Sequence, residues 1–167
     1  MSLEDTFSGA ETAYVTCLSY INQLAAEHGI DQALEIIATS DTARGTRVGK
    51  DINSEGKVYD VNETMQTIVE MAKGIGGIDT IKENTPERAI TVTGLGKCPI
   101  YEAAKSLNMD DQTIERICRA GSLNFLNSVV KQLNPKLGYF VREFRSQEHG
   151  GCVEVITFDP QEASASN

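Results

Sequence analysis

The sequence has no apolar run approaching the roughly 18 residues that a membrane-crossing helix needs. No membrane span is therefore expected. It is also short of positive charge, with 15 lysines and arginines against 24 acids and a net charge of −9. The basic pairs Arg44/Arg47, Arg116/Arg119 and Arg142/Arg145 are scattered through mixed stretches. Nucleic acid is not an expected partner, because phosphate binding needs a basic footprint. Residues 1–9 hold Glu4 and Asp5 and no basic, apolar leader, so a cytoplasmic location is expected. Only two histidines occur, His28 and His149, and neither sits in a motif, which weakens a Cys–His hydrolase. The four cysteines, Cys17, Cys98, Cys118 and Cys152, show no CxxC spacing. Gly94-Leu-Gly96-Lys97 is followed by Cys98, where a nucleotide-binding P-loop needs a serine or threonine for magnesium.

What is present fits one α+β domain over residues 1–160 with a polar tail at 161–167. Phe7, Ala10, Tyr14, Cys17/Leu18, Ile21 and Leu24 recur at helical spacing up to Gly29. Cys17 reads as core on that helix. A second helix is expected from Asp31, its N-cap, towards Val48, with Gly45 weakening its end. Asn62 is expected to cap a third, broken by Gly74, Gly76 and Gly77. Residues 78–83 and 88–93 read as a hairpin around Asn84-Thr-Pro-Glu87. A short helix follows from Pro99. A long one follows from Asp110, with Ile114, Ile117, Phe125, Val129 and Leu133 inward and Asn134-Pro135 as its stop. Residues 137–145 and 152–158 read as a second hairpin. N-terminal helices plus two helix/hairpin segments predict an antiparallel four-stranded sheet packed against helices.

The chemistry concentrates around Gly94-Leu-Gly-Lys-Cys-Pro. Pro99 suits the first helical position, which makes Cys98 the N-cap. A thiol there meets free amides and the positive helix end, both of which favour thiolate and lower the pKa. Thiolate is both the nucleophile and the zinc ligand, so Cys98 is a candidate catalytic residue. The alternative is a buried structural cysteine. Cys118, on the long helix, and Cys152, opening the last strand, could join Cys98 as metal ligands, with His149 from the adjacent turn. His149 reads equally as a solvated hairpin tip. Glu102, one turn after Cys98, is a candidate general base or fourth ligand, or a surface glutamate. Tyr101 and Arg142 are candidate substrate contacts. Arg142 shares a strand face with Phe140 and Phe144, where it either grips a carboxylate or faces solvent.

The runs KCPIYEAAKSL from Lys97, ICR from Ile117, LNPKL from Leu133 and HGGCVEVI from His149 form a set. As a set they resemble the 2-aminothiazoline-4-carboxylate hydrolase-like family and, more distantly, the 4-vinyl reductase-like small-molecule-binding domains. The resemblance spans residues 88–158. It implies a helix-plus-antiparallel-sheet fold like that of haem–nitric oxide sensors and a vesicle-trafficking tether subunit. It further implies an apolar ligand cavity and a homodimer. Family members carry cysteines matching Cys98, Cys118 and Cys152, with a suspected metal or catalytic role. The named hydrolase opens a cyclic amidine. The resemblance thus implies a small-molecule binder resembling a hydrolase of such C–N bonds, and the cysteine chemistry makes zinc the candidate metal for a metal-assisted reaction. A non-catalytic ligand-binding or sensor domain is the alternative.

Overall fold

The computed structural model describes residues 2–94, 96–145 and 150–158. His149 and the 161–167 tail lie outside them. The chain opens with α1 (Leu3–His28), whose start is fixed by a reciprocal capping box between Ser2 and Asp5. Gly29, at φ 87°, turns the chain directly into α2 (Ile30–Ile52), so Asp31 sits in the first turn rather than at the cap. Gly45 does not end α2. A Cβ on it would fall 2.2 Å from the Phe125 carbonyl oxygen, and one on Gly49 would fall 2.7 Å from Gln132 Cβ. The two glycines instead let α2 lie closely along a later helix. The third helix, α3 (Val61–Lys73), is capped by Asp60 and Glu63, not by Asn62, which accepts a hydrogen bond from Asn84 instead.

After the glycine turn come β1 (Thr80–Asn84) and β2 (Arg88–Thr93), then α4 (Pro99–Ser106). The expected long helix is present in three parts. Asp110 caps α5 (Asp111–Cys118), a π-helical turn follows over Arg119–Leu123, and α6 (Asn124–Leu133) completes it. The extra residue of a π turn re-aims the side chains around it, and such turns are frequent at functional sites. Strands β3 (Gly138–Glu143) and β4 (Cys152–Thr157) close the fold. All pairings are antiparallel and the order is β1-β2-β4-β3, so the two hairpins join through β2 and β4. The class is α+β, as expected.

Cross-strand register defines the face that meets the helices. Thr91 pairs with Glu154, Thr93 with Cys152, Tyr139 with Ile156 and Val141 with Glu154. At one end of this face, Ala89, Tyr139 and Ile156 pack against Val61, Met65 and Ile68 of α3 and Val129, Val130 and Leu133 of α6. A second core forms away from the sheet, where Leu18 and Ile21 of α1 meet Tyr101 and Ala104 of α4 and Ile114 and Ile117 of α5. Cys17 is exposed, one position off the Leu18/Ile21 stripe, so its reading as core is corrected. Among the described residues, no helix is long and apolar enough to cross a membrane.

Candidate functional site

A cavity of about 280 Å³ is lined from both cores and from the sheet. Its wall is mainly apolar, with Ile68, Met71, Phe125, Leu126 and Val141 among its lining side chains. Its polar groups are Cys98, Cys118, Cys152, Thr93, Asp79, Glu154, Tyr14, Ser122, Arg44 and Arg145. The three cysteines named from sequence therefore do face one space, brought there by α4, α5 and β4.

Cys98 is the N-cap of α4 and Pro99 stands in its first turn, as expected. Its thiol makes no capping hydrogen bond. Burial dominates and pushes the thiol up, against the opposing pull of the Tyr101 and Ile100 amides and of Arg145. The expected low pKa is thus corrected: Cys98 is the cap residue, but burial outweighs the cap and raises the thiol. Burial likewise raises Cys118, to which the neighbouring Cys98 and Cys152 add. Cys152 is pushed up to about 11, again first by burial. All four cysteines are free.

Zinc needs donors converging on one point at about 2.3 Å for sulfur. Among the described residues, no three Cys, His, Asp or Glu side chains are gathered into a group that could hold a metal ion. The three thiols share a cavity without forming that cluster, and His149, the fourth expected ligand, lies outside the described residues.

The remaining sequence candidates sit around the cavity rather than in it. Glu102 is half-buried on α4 and does not line it. Tyr101 is buried in the second core, and its hydroxyl donates to Asp111 Oδ1 at 3.0 Å. Arg142 is exposed and donates from Nε to Glu143 Oε1 at 3.3 Å. A register shift between Val141 and Glu143 places Arg142 at a bulge. The alternation expected along this strand breaks there, and Phe144 lines the cavity while Arg142 does not.

Three groups that sequence reasoning passed over carry most of the site's electrostatics. Arg145 is 7% exposed. Its Nη2 donates to the carbonyl oxygens of Gly94 at 2.6 Å and Gly150 at 2.9 Å, and its guanidinium lies 4.6 Å from the Tyr101 ring centre. Arg145 thereby ties the turn before Cys98 to the segment before Cys152. Glu154 is 6% exposed and accepts a hydrogen bond from Thr93 Oγ1 at 2.6 Å. Burial pushes its carboxyl up to about 7, and Asp79 adds to the rise. Asp79 is itself pushed up to about 6 by burial, although the Gly94 amide donates to its Oδ1 at 3.3 Å. Its Oδ2 is buried without a hydrogen-bond partner among the described residues. The Tyr139 hydroxyl is buried close to Glu154 but closes no hydrogen bond of good geometry. The available signal was alternation: Cys152, Glu154 and Ile156 share a strand face, so a glutamate stood between two inward positions.

No protein-family model matches this chain, and no curated protein matches it.

Proposed function

We propose that this chain is a small-molecule-binding protein whose ligand occupies the cavity between the sheet and the two helical cores. The observation that carries the reading is the cavity's make-up: a mainly apolar wall that also presents polar groups, Glu154 and Asp79 among them. That is the usual composition of a ligand pocket, and its volume lies near the lower edge of the roughly 300–1,000 Å³ range. A close-packed interior leaves few voids, so a space of this size lined by carboxyls supports a ligand site.

The test is binding of small neutral aromatics, such as benzyl alcohol and indole, followed by nuclear magnetic resonance. Binding is expected to shift signals of Leu126 and Val141, and Ala72→Phe is expected to abolish it while unfolding stays cooperative. Ala72 lines the cavity, so the larger side chain fills it. Absence of binding to the unmodified protein would sink the proposal.

A second reading keeps the hydrolase suggested by the resemblance. It is favoured by Cys98 and Glu154 facing one cavity, with the carboxyl titrating near neutrality. In that reading the Cys98 sulfur adds to the carbon of a cyclic amidine while Glu154 takes its proton and returns it to the nitrogen that receives the C=N electron pair; the ring bond at that carbon then breaks, and water displaces the Cys98 sulfur, which regains a proton. Incubation with 2-aminothiazoline-4-carboxylate tests it: turnover lost in Cys98→Ser supports it, and turnover unchanged in that variant removes it.

A further inference from the structure

The cavity presents two carboxyls whose placement the binding of a neutral molecule does not explain. Glu154 and Asp79 both line it. Among the described residues, neither forms an ion pair with a lysine, arginine or histidine. The two arginines lining the same space are committed elsewhere. Arg44 pairs with Asp41 at 2.8 Å and lies 4.3 Å from the Phe125 ring centre. Arg145 is held on the Gly94 and Gly150 carbonyls and over Tyr101. A carboxylate buried without a counter-charge costs several kcal/mol, which an entering cation would offset.

Each carboxyl already has one oxygen engaged: Glu154 Oε2 with the Thr93 hydroxyl, and Asp79 Oδ1 with the Gly94 amide. The buried Asp79 Oδ2 has no donor among the described residues. A planar amidinium or guanidinium is best matched by both oxygens of a single carboxylate. A primary ammonium presents three N–H donors fanned from one point and suits single oxygens offered by separate groups. Here the two acids come from different segments, Glu154 from β4 and Asp79 from the residue before β1.

We infer that the ligand carries a protonated primary amine, seated between Glu154 and Asp79, with an apolar body against Ile68, Met71, Phe125 and Leu126. The inference rests on the cavity being a binding site and adds the charge and shape of the ligand's polar end. It departs from the amidine implied by the family resemblance.

The experiment is calorimetric titration of the full chain at pH 8 with benzylamine, benzyl alcohol and benzamidine. Benzylamine is expected to bind at least about tenfold more tightly than benzyl alcohol, a preference of the size one desolvated charge pair confers. Glu154→Gln is expected to remove that preference while benzyl alcohol still binds, and Asp79→Asn gives an independent variant should the first not fold. Equal binding of benzylamine and benzyl alcohol would overturn the charge assignment and leave the cavity reading standing. Tightest binding by benzamidine would overturn the ammonium geometry. Binding of none of the three would overturn the cavity reading and the inference with it.

Discussion

Replacing Glu154 by glutamine should stabilise this protein at pH 8. Burial holds the folded-state pKa of Glu154 near 7, against an ordinary value of 4.5. The folded protein therefore keeps this proton to a higher pH than the unfolded chain does. The stability it contributes is fully present below about pH 4.5 and is lost as pH rises through about 7. A rise of this size corresponds to about 3 kcal/mol lost by pH 8, and to under about 1 kcal/mol at pH 5. The substituted glutamine would be uncharged at both, with a carbonyl oxygen still able to accept from Thr93. Glu154→Gln is thus expected to gain up to about 3 kcal/mol at pH 8, roughly 6–12 °C in melting temperature for a chain of this size. The gain should shrink towards pH 5. The assay is thermal unfolding by circular dichroism at a series of pH values. Glu102→Gln, the same charge change off the cavity, controls for the chain's overall acidity. A variant less stable than the parent at pH 8, or a difference independent of pH, would refute the reasoning.

Three further outcomes follow from the packing and the caps. Gly45→Ala should destabilise by about 2 kcal/mol or more, because its Cβ would fall 2.2 Å from the Phe125 carbonyl oxygen and force α2 from α6. Urea unfolding measures it, and a neutral or stabilising result would mean that the helices are not so close. Asp60→Ala should cost about 1 kcal/mol through loss of the α3 capping box, read in the same assay. No loss would show that the cap is redundant. At pH 7.5 a maleimide should label exposed Cys17 quickly and the half-buried Cys98, Cys118 and Cys152, whose pKa values burial raises, more slowly, as followed by peptide mass spectrometry. Fast labelling of Cys98 would contradict the burial that raises its thiol.

Local rules made much of the fold legible. The 88–93 strand and the Asp110 cap fell where alternation and capping chemistry put them, because both are set by near neighbours. Gly45 misled for an instructive reason. Its helix propensity is poor, but helix contact across the fold rewards the missing side chain. Arg142 and Phe144 illustrate register: a single bulged residue moved the phenylalanine to the cavity and left the arginine in solvent. In the sequence Arg145 is only one of several scattered basic residues. Its burial depends on carbonyls of Gly94 and Gly150, one of them 51 residues away in sequence. The cysteines were legible as chemistry-bearing types. Their meeting was not, since it depends on β2 pairing with β4 and on how α4 and α5 dock.

The same buried acids give a way to separate a ligand site from a mere packing defect. In the free protein at pH 5, Glu154 and Asp79 hold protons, and a cation entering the cavity must displace them. At pH 8 both are charged and ready. Benzylamine is protonated at both pH values, so only the protein's charge changes between them. A ligand that binds the folded state alone stabilises it by RT ln(1 + [L]/Kd). The rise in melting temperature at a fixed benzylamine concentration should therefore be larger at pH 8 than at pH 5. In Glu154→Gln the rise should be small at both. An equal rise at both pH values in the parent protein would mean that the amine binds away from these carboxyls. A pH-dependent rise that survives Glu154→Gln unchanged would assign the effect to Asp79 alone.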